Sequence, residues 1–234
     1  MEGARAAYLT YHPDLSVPEA EGHIQTFCGM AQDTELEHIV LLSGRNEAGA
    51  QRAERVLRGS DLAWNIVQAS WFAQNFSENF MLDSVLGGEF VIPEGTAPEP
   101  FIDIDDIADV VVATFMERGL QNRVFELTGP RLLTFGDCLE EISRATGYPV
   151  SIVEQPLDDY TQTLREQNVP GYLIKLLRDL FSDLFDGRSA YTADGVSEAL
   201  GRSATDFTQY AQKTAATGIW NRKDTLRNVS RSTG

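Results

Sequence analysis

Residues 38–80, HIVLLSGRNEAGAQRAERVLRGSDLAWNIVQASWFAQNFSENF, set a helical segment between two short apolar runs, and this pattern restricts the fold more than any other stretch. Ile39-Val40-Leu41-Leu42 halts at Ser43-Gly44-Arg45. Glu47 to Arg58 carries Ala50, Ala53, Val56 and Leu57 at helical spacing. Trp64-Asn65-Ile66-Val67 then ends in Ser70 to Asn75. Short apolar strands separated by an amphipathic helix predict a βαβ unit in a parallel sheet. Upstream, Ala6 to Tyr11 reads as a strand stopped by His12-Pro13-Asp14, and Pro18 to Gln32 as a helix with Ile24, Phe27, Cys28 and Ala31 on one stripe. Parallel strands carry their functional loops beyond their carboxyl ends. The polar and aromatic loops at 43–45 and 70–75 are therefore the expected walls of any site.

The pattern continues in smaller pieces. Asn75 to Leu86 reads as a helix ended by Gly87-Gly88. Phe90 to Pro93 is extended, and a Pro/Gly-rich loop leads through Phe101-Ile102 to a helix that Asp105 or Asp106 would cap and that runs to Met116. Arg123 to Leu127 is a strand, Thr128-Gly129-Pro130 a turn, and Phe135 to Thr146 a helix started by Thr134 and stopped by Gly147. Pro149 to Val153 is the last expected strand; segments 158–167, 170–185, 193–200 and 205–217 are helical, and Trp220 closes the fold. Residues 221–234 read as a polar tail.

Composition narrows the function classes. At 234 residues with 42% hydrophobic content, the chain can bury one sizeable core or a core with a satellite. No apolar run approaches the roughly 18–20 residues of a membrane span, and the opening Met-Glu-Gly-Ala-Arg lacks a signal-peptide pattern, so a cytoplasmic protein without membrane partners is expected. A net charge of −16 repels a phosphate backbone and argues against direct nucleic-acid binding. Cys28 and Cys138 fall inside helical patterns as small buried groups.

With the pieces in order, a family resemblance emerges. HP at 12–13, LLSGR at 41–45, SWFAQNF at 70–76, PFIDIDDIADV at 100–110, ELTGP at 126–130 and LGRSATDFTQYAQKTAATGIW at 200–220 resemble the NmrA-like group of atypical short-chain dehydrogenase/reductases. The resemblance implies a Rossmann domain binding NAD(P), reduction of a small organic substrate, and a small C-terminal part over the substrate cleft. It also implies an N-terminal G-x-x-G-x-x-G turn that none of the nineteen glycines forms; the sequence begins where the family's fourth strand would be. That turn holds the pyrophosphate through backbone amides at a helix N-terminus. The expectation is therefore an α/β fold: an incomplete Rossmann-like parallel sheet with flanking helices plus a small, mainly helical C-terminal part, with dinucleotide binding weakened or lost. The expected division is 1–88 as partial core, 89–220 as substrate-cap region interleaved with it, and 221–234 as tail.

The superfamily's Ser, Tyr and Lys set is incomplete. Ser43 sits where the serine belongs and is the catalytic candidate, yet the following helix offers Gln51, Arg52, Glu54 and Arg55, and no Y-x-x-x-K occurs. The alternative for Ser43 is a turn hydrogen bond. Tyr11, His12, Ser43, Gly44 and Arg45 are the candidate cofactor contacts; Arg45 could meet an anionic group through paired N–H donors or bridge to Glu47 or another acid. Trp71, Phe72, Gln74 and Asn75 are the candidate substrate contacts, mixing flat apolar surface with paired donors and acceptors, against the alternative that the aromatics are core and Asn75 caps a helix. The carboxylates Asp103, Asp105, Asp106 and Asp109 lack a nearby histidine or calcium-loop spacing, so no metal is expected. A sheet lacking its first strands exposes an edge, which predicts a homo-oligomer or a partner chain covering it. A non-catalytic, redox-sensor-like binder of a small molecule or partner, and a cofactor-free lyase or isomerase, are the alternatives to a reductase.

Overall fold

The computed structural model describes residues 3–78, 81–184 and 186–221. In chain order its elements are β1 (Ala6–Leu9), α1 (Ala20–Gln32), β2 (His38–Gly44), α2 (Ala48–Arg58), β3 (Ala63–Ala69), α3 (Asn75–Glu78), α4 (Leu82–Gly87) and β4 (Glu89–Pro93). There follow α5 (Ile104–Met116), a 3-10 turn at 118–120, β5 (Arg123–Leu127), α6 (Phe135–Thr146), β6 (Ser151–Gln155), α7 (Leu157–Glu166), α8 (Gly171–Leu184), α9 (Gly195–Leu200) and α10 (Phe207–Thr217). This is the α/β architecture that the alternating pattern predicts, with a parallel sheet and flanking helices. The segment expected as one helix from 75 to 86 contains α3 and α4, with 79 and 80 outside the described residues; the expected tail from 222 onward also lies outside them.

Two compact units alternate along the chain. The first takes 1–70, 102–130 and 192–204; the second takes 71–101, 131–191 and the segment from Thr205. The division expected at 88 falls inside the second unit.

In the first unit the strand order is β1-β2-β3-β5, and every neighbouring pair is parallel. Ile39, Leu41 and Ile66, with Ala7 and Leu9 beside them, pack against the apolar stripes of α1 and α2 (Ile24, Cys28, Ala31, Ala50, Ala53 and Leu57). Full burial of each larger aliphatic side chain contributes about 1.5–3 kcal/mol. Val40, Val67, Phe125 and Leu127 alternate onto the opposite face and are buried too, where α5 lies against β2 and β3 and α9 lies against α5 and β5. Covering on both faces explains why the strand sequences read as unbroken apolar runs. Close approach of α9 requires Gly195: a Cβ there would lie 2.3 Å from the Glu126 carbonyl oxygen.

The start of α5 corrects one expectation. Asp103, not Asp105 or Asp106, is the N-cap: its backbone is extended and its carboxylate accepts from the Asp105 amide at 3.0 Å. Asp105 and Asp106 already stand in the first turn, where their charge suits the positive end of the helix.

The second unit holds a two-stranded parallel sheet, β4 with β6, running from Glu89↔Ser151 to Pro93↔Gln155. Its core is aromatic: Phe76, Phe90, Phe101, Phe135, Phe181, Phe207, Tyr210 and Trp220 are all buried. Trp220 Nε1 donates to the Phe76 carbonyl at 2.9 Å, and Tyr210 Oη to Ser77 Oγ at 2.8 Å, so the closing segment is fastened at its polar atoms as well. Thr134 forms a capping box with Asp137 at the start of α6, and Gly147 ends that helix in the left-handed conformation, as its sequence predicts.

Candidate functional site

At the carboxyl ends of the first unit's strands the α2-side face of the sheet turns polar. Register places Leu41 beside Ile66 and Ile66 beside Val124; two residues further, Ser43 stands beside Gln68 and Gln68 beside Glu126. The apolar row is thus followed by a Ser–Gln–Glu row. Helix α2 lays Glu54 over it, although Glu54 is only 3% exposed. Ser43 Oγ donates to Glu54 Oε1 at 2.6 Å, and Gln68 Nε2 donates to Oε1 at 2.8 Å and Oε2 at 3.0 Å. Arg58 approaches Oε2 at 3.7 Å from the solvent side.

Arg45 extends the row. Its side chain is buried, and Nε donates to Glu126 Oε1 at 2.7 Å. Of the structural partners weighed for it, an acid other than the adjacent Glu47 is thus present, Glu126 from β5. The Glu47 carboxyl group rests over Gly44, where an added Cβ would clash with it. Asn46, between them, takes the left-handed conformation that turns the chain into α2.

Tyr11 lies just past β1, and its Oη is 2.6 Å from Nδ1 of His23 on α1, with the rings stacked 5.8 Å apart. His12 is exposed beside it. The turn residue Thr128 is buried and held to the backbone of Ala193, whose amide donates to Thr128 Oγ1 at 2.9 Å. The remaining candidates, Trp71, Phe72, Gln74 and Asn75, belong to the second unit. There the Trp71 ring packs on Phe135 at 5.7 Å and Phe181 at 5.3 Å, and the Asn75 amide donates to the Phe72 carbonyl at 3.1 Å.

Ser43, Gly44 and Arg45 are therefore brought together with three residues the sequence reading did not place in the site: Gln68, Glu126 and, as partner of Ser43, Glu54. Glu54 had a visible signal. It occupies the apolar stripe of α2, four residues after Ala50 and three before Leu57, where an acid stays only if donors meet it. His23 had no comparable signal.

Comparison with known proteins follows this geometry. No family model matches the chain. It is 24% identical over 216 residues to prestalk A differentiation protein A of Dictyostelium discoideum, covering 92% of this chain and 71% of that one. It is 29% identical over 195 residues to an NAD(P)H azoreductase of Xenophilus azovorans, covering 82% of this chain and 64% of that one. Among solved structures, NADPH-dependent quinone oxidoreductase from Escherichia coli in complex with NADPH superposes with a TM-score of 0.77 at 17% identity, covering 91% of this chain and 77% of that one. NmrA, a negative transcriptional regulator in complex with NADP, superposes with a TM-score of 0.65 at 16% identity, covering 94% and 78%. The chain has the NmrA-like fold. It spans about two thirds of the azoreductase, and the curated relatives also include an agroclavine dehydrogenase of Claviceps fusiformis.

In an NmrA-like fold the dinucleotide is the expected cofactor, and the strand-end loop of the first unit can be tested against it. A pyrophosphate needs open backbone amides and positive charge. Loop 43–47 itself is acidic: the clearance over Gly44 is filled by the Glu47 carboxyl group, the Arg45 guanidinium is set against Glu126, and Glu54 lies over Ser43. Among the described residues, no group of three or more His, Cys, Asp or Glu could hold a metal ion, and no helix is long and apolar enough to cross a membrane.

Proposed function

We propose that this chain is a small-molecule-binding relative of the NmrA-like NAD(P)-dependent reductases, with dinucleotide binding by these 234 residues weakened. The observation that carries the reading is the Ser43–Gln68–Glu126 row at the carboxyl ends of the parallel strands, with Glu54 set over Ser43. A polar row at that end of an α/β sheet is where such folds place ligands. Ser43 is the catalytic candidate. Because its proton is directed to Glu54, Oγ presents lone pairs, suited to accept from a donor on a small organic molecule. The reading of weakened dinucleotide affinity is supported by the lack of a G-x-x-G-x-x-G turn among these 234 residues. In the second unit, Trp71, Phe72, Gln74 and Asn75 are the ligand-contact candidates.

The Ser43–Glu54 bond also favours a second reading, a non-catalytic binder, because α2 sets a carboxylate rather than a phenol or ammonium beside Ser43. Titration of the protein with NADPH, followed by nicotinamide fluorescence, is expected to give no saturation at low-micromolar concentration; saturation there overturns the weakened affinity. Crystals soaked with small aromatic carbonyl compounds are expected to show density at Ser43. Reduction of a quinone or azo probe with NADPH as donor favours the catalytic reading, and density without turnover favours the binder.

A further inference from the structure

We propose that the ligand of the Ser43–Gln68–Glu126 row presents a planar NH2 group, an amidinium or a primary carboxamide, to a set of hydrogen-bond acceptors. The proposal rests on the reading of that row as the binding site and adds the chemistry the site selects. Proton positions carry it. The Glu54 carboxylate only accepts, so the Ser43 hydroxyl proton lies on the 2.6 Å line from Oγ to Glu54 Oε1. The same carboxylate fixes the Gln68 amide: Nε2 must face it, at 2.8 and 3.0 Å, and Oε1 is turned from it. Both donor groups in this half of the row are thereby committed to one acid. What Ser43 and Gln68 have left to offer a ligand is lone pairs. Among the described residues nothing donates to Gln68 Oε1, yet Gln68 is half-buried and that oxygen is not sealed from solvent.

Spacing suits a two-pronged donor. Gln68 and Glu126 are register neighbours on adjacent strands, about 4.8 Å apart across the sheet. One planar NH2-bearing group can direct its N–H bonds to Gln68 Oε1 and to the Glu126 carboxylate together. Glu126 already accepts from Arg45 Nε, but a carboxylate has room for about four such bonds. An anionic ligand would set its own lone pairs against these, and a ketone oxygen finds no donor on Ser43 or Gln68. Charge points the same way. The carboxylates of Glu47, Glu54 and Glu126 stand about the row against the guanidiniums of Arg45 and Arg58, and the net charge of −16 draws cations from long range. An amidinium therefore ranks above a carboxamide.

Calorimetric titration of the whole chain with benzamidine, benzamide, acetophenone and phenyltrimethylammonium tests this, together with crystals soaked in each. Benzamidine is expected to bind tightest and benzamide next. Acetophenone, which lacks the N–H donors, should bind at least about tenfold more weakly than benzamidine. Phenyltrimethylammonium, a cation without an N–H, should do no better than acetophenone. Gln68→Met should lower benzamidine affinity about tenfold. In wild-type crystals a benzamidine nitrogen should lie within hydrogen-bond distance of Gln68 Oε1, a readout that does not depend on how the variant folds. Acetophenone or phenyltrimethylammonium seated at the row as tightly as benzamidine overturns the donor chemistry and leaves the site standing. Density for none of these probes at the row overturns the reading of the site, and the proposal with it.

Discussion

Ser43 and Glu54, eleven residues apart, are joined by a buried hydrogen bond of 2.6 Å that ties the carboxyl end of β2 to the helix following it. Glu54 also accepts both bonds from Gln68, so one carboxylate satisfies donors from two adjacent strands. Removing the acceptor is therefore worse than removing a donor, because a buried hydroxyl and a partly buried amide both lose this partner. Glu54→Leu is expected to lower stability by about 1–3 kcal/mol, and Ser43→Ala by about 1 kcal/mol or less. In the double variant the losses should fall short of additive, since the two residues share one bond. Urea unfolding midpoints of the four proteins decide this; strict additivity would show that Ser43 and Glu54 are energetically independent.

The β2–α2–β3 unit was legible because each piece carries its own period: apolar strands covered on both faces, and a helix with one apolar stripe. Glu54 was legible as an acid on that stripe, but its partner depends on the pairing of Ser43 with Gln68, which no local pattern specifies. Arg45 shows the same limit. The sequence offered Glu47 nearby, while the fold supplies Glu126 from a strand 81 residues away. Likewise β4 and β6 were each visible as extended segments, yet their mutual pairing across 57 intervening residues is specified by neither segment alone.

Arg45 and Glu126 are unequally buried, at 2% and 31% side-chain exposure. Glu126→Ala takes one carboxylate from a guanidinium that has almost no access to water, whereas Arg45→Met leaves an acid that water can still reach. Loss of a partner from a buried ion pair costs about 3–5 kcal/mol. The expected order is therefore a loss approaching that range for Glu126→Ala and a smaller one for Arg45→Met. Thermal unfolding of both variants tests the order, and an equal or reversed pair of losses would contradict it.

His38 titrates against a fixed partner. Its Nε2 lies 2.9 Å from Asn65 Oδ1, and Asn65 Nδ2 donates to the carbonyls of Leu120 and Arg123 at 2.8 and 3.0 Å. Asn65 Oδ1 must therefore accept, and His38 Nε2 carries the proton. Burial lowers the His38 pKa below 6.5, with the bond to Asn65 partly opposing the shift. The unfolded chain thus binds protons more readily between the folded value and 6.5, and stability rises with pH across that window. The contribution is fully present above 6.5 and is lost as pH falls toward the folded value. Urea midpoints measured above 6.5 and about one unit below it should drop further for the wild type than for His38→Gln. Equal drops would place the titration elsewhere.

Asp206 is the mirror case. It caps α10, its carboxylate accepting from the Thr208 amide at 2.8 Å while the Asp206 amide donates to Gln209 Oε1 at 3.2 Å. Arg131 grips the same carboxylate through Nε at 2.7 Å and Nη2 at 3.0 Å. That grip, helped by the Thr208 amide and opposed by burial, lowers the Asp206 pKa from 3.8 to about 2. Its stabilisation is therefore fully present above 3.8 and disappears as pH falls through about 2. One pKa unit corresponds to about 1.4 kcal/mol, and solvent reaching the 30% exposed side chain screens part of it. Asp206→Asn keeps a capping oxygen and loses only the charge, so it should cost about 1–2 kcal/mol at neutral pH. The gap between variant and wild type should close as the solution is acidified toward the folded pKa. Urea midpoints across the acid range test both statements, and a gap that persists at the acid end would assign the loss to capping geometry rather than to the ion pair with Arg131.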